Sequence, residues 1–528
     1  MGLLSMKTVG EYLDGIGRAL VPIKKSVRKI RKKSHRPLSE RAFFQAADIS
    51  RLTYSWKRQT ASADAEIFNE LSTIRSRSRD LSRNNDYAAR FLNMCKTNVV
   101  GAHGIQMQAK PTVGKAAKRQ IDEAFKAWKK RGICTVCGTM SFTDCEKLII
   151  ETIARDGEIL IRTVRGWDNP FGFAIQIIEP EYLDESYNVN LPNGNQVRMG
   201  VEIDPWRRPV AYHILAKHPG DMLYATTQLN QVATRIRIPA DEIIHPFIRH
   251  RANQSRGYPW FVTPAYRLNM LGGYEEAELV ASRVAAAKMG FFKSPDGAGY
   301  TGDDSTDEEG HEPIMEAEPG TFEQLPQNMD FVAWNPEHPT SAYEAFVLAT
   351  LRGISSGLNV SYVSLANDLR GVSYSSIRYG TLEERDHWLA LQAWLVENFH
   401  QIVFERWLEM AIVSYLDLPY VKLEKFKAVN WRPRGWQWVD PQKEIAASVS
   451  AIQNGLTSPQ RVVAAQGLEL SEVLQEIAEA QQMAEDAGVN ISLFGAPEPE
   501  PPPDLGQNQD MAAAEDEEAQ QNDSTQGA

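Results

Sequence analysis

The chain has 528 residues, 43% of them hydrophobic, and a formal net charge of −11, which is length for roughly three or four domains' worth of core. The charge is uneven: residues 1–41 carry eleven Lys/Arg against three Asp/Glu, residues 497–528 carry nine acids and no base, and the body between is net −10. An acidic body argues against a tight nucleic-acid binder, which needs Lys/Arg to displace counterions from phosphates.

No stretch approaches the ~18–20 apolar residues of a membrane span, and four cysteines make no disulfide framework. At the N-terminus the basic cluster Lys24 to Lys33 follows the mildly apolar part instead of preceding it, the reverse of a signal peptide. Met6 stands where a myristoylation signal wants Ser or Thr. The chain reads as cytosolic when made.

Residues 1–39 read as a mobile basic arm, either a solvated tail or a contact with nucleic acid, a scaffold or a membrane surface. Residues 37–100 are helical in pattern and rich in arginine: Arg75, Arg77, Arg79, Arg83 and Arg90. From Gly157 to Ile214 the period shifts to strands. Glu158–Val164 and Phe173–Ile178 flank a turn at Asp168-Asn169-Pro170, and Val201–Ile203 and Val210–Tyr212 flank Asp204-Pro205-Trp206. The expectation is a mixed sheet with helices around it, an α+β class.

A helix over 263–290 follows, with Thr263 as N-cap, Pro264 at the first helical position and Gly290 closing it. Its Ala- and Glu-rich interior gives little private core and suits close packing against a neighbouring copy. Residues 293–336 are Gly/Pro-rich and acidic, with a candidate strand at Phe331–Trp334. A capping box from Ser341 to Glu344 opens the next helix, with apolar residues at Val347, Leu351, Ile354 and Leu358. After a Ser/Tyr/Asn/Gly-rich loop from Leu358 to Ser376 comes a helix of roughly ten turns, carrying Trp388, Leu391, Leu395, Phe399 and Ile402 on one face. Three short helices fill 440–488, the second opened by Ser458-Pro459, and from Pro497 onward disorder is the default.

Chemistry is hard to find. Cys134-x-x-Cys137 with Cys145 is half a zinc site, but Cys95 and His103 are not spaced as the other half. Gly114-Lys115 lacks the first Gly and the Ser/Thr of a phosphate loop. The acidic run 303–318 lacks the order of a calcium loop. His245, His250, Arg249, Arg251 and Arg256 read as a surface or inter-subunit ion-pair group. Trp431, Trp436 and Trp438 with Arg432 and Arg434 read as core with cation–π packing rather than a base-stacking platform. No catalytic residue, metal or cofactor is expected. The loop after Leu358 holds no His, Cys or Glu and one Asp, which suits a surface that something slides against.

The order of elements, with several stretches, resembles the lambda-type phage portal proteins. The stretches are Arg79–Ala89 with Val99-Val-Gly101, Arg155-Asp-Gly-Glu158, Glu179–Asp184, Gly257-Tyr-Pro-Trp-Phe261, Leu358–Tyr362 with Ser373–Ser376, and Trp431–Trp436. They fall in order across 40–490. The resemblance implies a portal-type fold: residues 40–262 and 376–435 as wing, 263–290 and 340–357 as stem helices, 291–339 as an α/β clip, 358–375 as tunnel loop and 436–490 as a helical crown. The arm 1–39 and a disordered acidic tail 491–528 lie outside it.

It also implies a dodecameric ring of this chain at one capsid vertex in the virion, assembled in the bacterial host cytoplasm. DNA would be packaged through it by the terminase large subunit and later ejected. Capsid, scaffold and neck or head-completion proteins would be the other partners, with no membrane and only non-specific contact to double-stranded DNA. The tunnel loop would offer Ser364, Asn367, Asp368, Arg370, Gly371 and Ser373 to the duplex, with Arg370 equally well placed to pair with Asp368. The clip would offer Asp303, Asp304, Asp307, Glu308, Glu309 and Glu312 to terminase or neck. The rival reading is a membrane-surface or scaffold-like assembly protein with no DNA channel.

Overall fold

The computed structural model describes residues 60–221, 234–286, 290–293, 330–333, 342–371, 373–436 and 441–488, and from Ser62 onward the chain forms one compact unit. The basic arm, most of the acidic insertion, Trp438 and the acidic tail lie outside the described residues.

Helices α1 (Ala63–Phe68), α2 (Leu71–Asn84) and α3 (Asp86–Cys95) open the unit, and a π-helical turn at Lys96–Val100 extends α3. Strand β1 (Gln106–Ala109) leads to α4 (Lys115–Trp128) and α5 (Phe142–Asp156). A reciprocal capping box between Ser141 and Asp144 starts α5, and Gly157 in the left-handed region ends it. Phe142, Cys145, Ile149, Ile150 and Ile153 are all fully buried, which places α5 at the centre of the core.

The strands follow as β2 (Leu160–Arg165), β3 (Phe173–Ile178), β4 (Val189–Asn190), β5 (Gln196–Arg198), β6 (Val201–Ile203), β7 (Pro209–Leu215), β8 (Arg235–Pro239) and β9 (Ile243–Ile244). They form two sheets, of order β3-β2-β9 and β4-β5-β6-β7-β8. Every named ladder is antiparallel, and the one parallel pairing among the described residues is an isolated bridge from Thr135 to Ile175. A small core of Leu160, Ile178, Leu183, Val201, Ile203, Tyr212 and Ile214 joins the two sheets.

Helix α6 runs Ala265–Ala286, one residue later than the Thr263 cap predicts, because Trp260–Val262 forms a 3-10 turn and Thr263 is itself in the helical region. Strands β10 (Gly290–Lys293) and β11 (Asp330–Ala333) pair antiparallel, so the strand expected at Phe331 exists and has a partner the sequence pattern did not single out. Helix α7 (Tyr343–Leu358) buries Leu351, Ile354 and Leu358, as the stripe requires. Its N-cap is Ala342 with no side-chain bond, and Ser341, the first residue of the expected capping box, lies outside the described residues.

Helices α8 (Tyr362–Ala366) and α9 (Tyr374–Leu395) come next; a second π-helical turn at Val396–His400 carries α9 directly into α10 (Gln401–Ser414). Trp388, Leu391, Leu395, Phe399, Val403 and Trp407 along this rod are buried. Phe125, Trp128, Phe142, Phe404, Trp407 and Trp431 pack as one aromatic cluster with centroids 4.9–6.2 Å apart. Buried His400 holds the π turn: Nδ1 bonds the Leu395 carbonyl at 3.2 Å and Nε2 meets Glu146 at 2.6 Å.

Helix α11 (Leu423–Phe426) precedes β12 (Val429–Arg432), which pairs with β1 across more than three hundred residues of chain. Of the Trp-rich stretch, Trp431 and Trp436 pack half-buried against the core, and Trp436 takes part in the expected cation–π packing. Trp431 joins the aromatic cluster, and the guanidiniums of Arg385 and Arg434 each lie 5.8 Å from the Trp436 ring centre. Helices α12 (Pro441–Gln453), α13 (Pro459–Ala465) and α14 (Leu470–Asp486) close the described chain, and Ser458 caps α13 through Arg461 N–H.

Candidate channel loop and a buried charge network

The stretch from Leu358 to Ser376 is more built than its composition suggests. Asn359, in the left-handed region (φ 56°), ends α7, and Ser361 caps α8 by accepting from Ser364 N–H. Asn367, also left-handed (φ 53°), ends α8, and Ser373 caps α9 by accepting from Ser376 N–H. Short polar side chains favour caps and turns for this reason. The open part therefore shrinks to Asn367–Ser373.

The six loop residues singled out by sequence do not share one environment. Ser364 is committed inward: its hydroxyl donates to Glu384 at 2.7 Å and accepts from the Ser361 hydroxyl at 2.8 Å. Asp368 accepts from the Tyr362 hydroxyl at 2.9 Å and from Arg370 N–H at 3.0 Å. The Arg370 side chain, 76% exposed, completes the turn with ion pairs to Asp368 at 3.1 Å and Glu344 at 3.2 Å. Those bonds from Arg370, then the one from Tyr362, hold the Asp368 carboxyl down at about 2. Of the two roles open to Arg370, the ion pair is the one seen. Asn367, Gly371 and Ser373 are exposed. Asp303, Asp304, Asp307, Glu308, Glu309 and Glu312 lie outside the described residues.

Sequence reasoning also missed a buried charge network. Glu158 has no exposed surface. It receives Arg256 Nε at 2.8 Å, Arg75 Nη2 at 3.1 Å, His245 Nε2 at 3.0 Å and Gly257 N–H at 2.7 Å. Arg256 Nη1 also donates to the Met199 carbonyl at 2.8 Å. Burial alone would raise the Glu158 carboxyl, yet Arg256 and His245 hold it far below the usual carboxylate range. Burial pushes His245 down, so it stays neutral at pH 7. Next to this set, Arg79 clamps Asp156 at 2.8 and 2.9 Å and reaches Glu181 at 2.8 Å.

This corrects the surface or inter-subunit reading of the His245–Arg256 group. Arg256 is 0% exposed and pairs within its own chain, as His245 does. Arg249 instead lies over the Phe247 ring, Arg251 pairs with Glu66 and His250 stacks on Tyr258.

The remaining candidates are plain. Cys134 donates to carbonyls of Lys129 and Met140, and burial pushes the Cys95 thiol well up; Cys145, hydrogen-bonded to Cys134 and buried, is raised too. Exposed Cys137 is lowered to about 7 by the hydroxyls of Thr139 and Thr135. Glu179, Glu181 and His218 come together, but His218 Nδ1 accepts from Gly220 N–H at 3.0 Å, which puts the neutral ring's proton on the Nε2 that faces Glu179.

The family model described as phage portal protein, lambda family, matches residues 50–392. The chain belongs to that family. A probable portal protein of Halomonas phage phiHAP-1 is 36% identical over 446 residues, covering 83% of this chain and 85% of the relative. Portal protein B of Escherichia phage lambda is 22% identical over 473 residues, covering 82% and 86%. Among solved structures, a chain from the neck of a native gene transfer agent particle aligns with TM-score 0.42 and 12% identity, over 74% of this chain and 93% of the other.

Four of the six stretches that carry the resemblance to portal proteins converge in space. Arg79 comes from the first, Asp156 and Glu158 from the second, Glu181 from the third, and Gly257 from the fourth, and all meet in the network around Glu158.

Proposed function

We propose that this portal-family chain assembles as a ring at a capsid vertex of the virion. Genomic DNA would enter through the ring under terminase and leave at infection, with capsid, scaffold and neck proteins as its other partners. In this reading α6 and α7 are the stem, residues 291–339 the clip, Asn367–Ser373 the channel-facing part of the loop, and α12–α14 the crown. The acidic residues Asp303, Asp304, Asp307, Glu308, Glu309 and Glu312 are the face offered to terminase or neck.

The observation that carries this reading is an apolar face on the stem that no described residue covers. Tyr266, Met270 and Val280 share one side of α6 and are 75%, 54% and 50% exposed, and Phe346 on α7 is 52% exposed. Large apolar residues massed along one helix mark an interaction surface. Two different faces meeting head to tail close into a ring when the rotation allows. The acidic balance suits a conduit, since like charge keeps phosphates from adhering.

Negative-stain images of the purified protein test this. Rings with a central hole are expected, and Met270→Glu with Val280→Glu is expected to abolish them while leaving the circular dichroism of the protomer unchanged. A uniform monomer or dimer that never closes, even with scaffold present, overturns the reading. Deletion of residues 367–372 is expected to spare the rings and deplete DNA-filled particles; loss of the ring itself would show that the loop is an assembly element.

A further inference from the structure

Three arginines from three separate elements meet the short helix α8. Arg90 on α3 sets its Nε 3.3 Å from the Ser364 carbonyl. Arg352 on α7 lies with its guanidinium 5.7 Å from the Tyr362 ring centre. Arg370, four residues beyond α8, is tied to Asp368 and Glu344. Among the described residues only the last has a carboxylate partner. Arg90 and Arg352 are exposed, and among the described residues neither has a carboxylate within ion-pair distance. Glu384, the acid that α8 touches, is 9% exposed and committed to Ser361, Ser364 and Trp388 Nε1.

Two uncompensated guanidiniums in a chain of net charge −11 form a local exception to its acidic field. Among the described residues each has a single weak anchor, one carbonyl or one ring, which positions the side chain. A guanidinium presents five N–H donors in a planar fork that matches phosphate oxygens and reads no base.

We propose that Arg90 and Arg352 form a phosphate-contacting site for the backbone of double-stranded DNA, beside the loop and distinct from its tip. This rests on the placement of the loop at the channel argued above. Arg370 is then the held partner: its charge is already balanced by two carboxylates, so the first phosphate falls to the other two. Two such arginines per protomer are too few to trap DNA in one protomer, and repeated around a ring they keep the duplex centred.

Portal particles carrying the photo-crosslinker p-benzoylphenylalanine at position 90, 352 or 119 test the site directly. Arg119, 81% exposed on α4 and paired with Glu123, is the control. After packaging and irradiation, DNA crosslinks several-fold above the control are expected at 90 and 352. With isolated rings, Arg90→Gln with Arg352→Gln is expected to flatten the salt dependence of duplex binding, by about 0.9 in log–log slope for each phosphate that the arginines no longer neutralise. Arg90→Lys with Arg352→Lys should keep the slope, which a merely structural role would not require. Rings that package DNA yet crosslink at the control level, with the Gln pair at the native slope, overturn the site and leave the portal reading standing. Failure of the unmodified chain to form rings overturns both.

Discussion

Glu158→Gln is expected to destabilise the protein by about 3–5 kcal/mol, the range found when one partner of a buried ion pair is removed. That is a large part of a typical domain's stability. The amide keeps the shape of the carboxyl and loses the charge. Arg256 is then fully buried beside carbonyls and the more distant Glu185 at 3.9 Å, and Arg75 retains Glu185 at 2.5 Å and Glu181 at 3.8 Å. The asymmetry matters: Arg75 keeps a strong partner, so most of the loss falls on Arg256. Chemical unfolding of the purified chain measures it, and a change under about 1 kcal/mol would mean that the network is solvated in a way its burial does not suggest.

The same network sets a pH dependence. Glu158 is held far below its ordinary value and His245 is pushed below its own, so both bind fewer protons folded than unfolded. Stability therefore rises with pH through both groups. The His245 contribution is complete above its unfolded value of about 6.5 and falls away on acidification; that of Glu158 is complete above about 4.3 and falls away below it. The native chain is thus expected to lose midpoint denaturant concentration steadily from pH 7 to pH 4. Glu158→Gln should keep the His245-driven decline above about pH 4.3 and differ from the native chain below it, where the slope is shallower because the carboxylate that titrates there is gone.

The long rod of α9 and α10 was legible because its apolar stripe is wide and its residues are large: Trp388, Leu395, Phe399 and Trp407 leave few other places to go. The π turns at 96–100 and 396–400 were not, because what selects them is tertiary. His400 reaches back to Leu395 and across to Glu146, a partner 254 residues away. Strand β1 was missed for a similar reason. Gln106-Met-Gln-Ala109 has little strand character of its own and is made a strand by β12.

Within the candidate site, the caps at Ser361 and Ser373 were written in the sequence as short polar residues three positions before the N–H groups they accept, yet the loop's composition drew attention away from them. Arg75 and Arg256 went unrecognised because an arginine is by default a surface residue. Their signal was the company they keep: Arg256 directly precedes Gly257, and Gly257 and Glu158 both lie in stretches that mark the family.

Gly157→Ala is expected to be the most damaging small substitution in this region. Gly157 sits at φ +93° where α5 ends, and a Cβ there would lie 2.2–2.5 Å from the Tyr258 backbone. The first fault costs a non-glycine residue roughly 1–2 kcal/mol. The second is overpacking against backbone, which cannot rotate aside, at about 1–3 kcal/mol or more. The two add because they have different origins, and relief of one worsens the other. Moving the 257–258 segment away to admit the methyl would break the 2.7 Å bond from Gly257 N–H to Glu158 and pull Arg256 off the same carboxylate. The close approach at a glycine is therefore the mechanical support of an electrostatic interaction. Gly157→Ala and Glu158→Gln should accordingly be strongly non-additive in a double-mutant cycle, the second change costing far less once the first has displaced the chain. Full additivity would separate the backbone approach from the charge network and leave two independent supports.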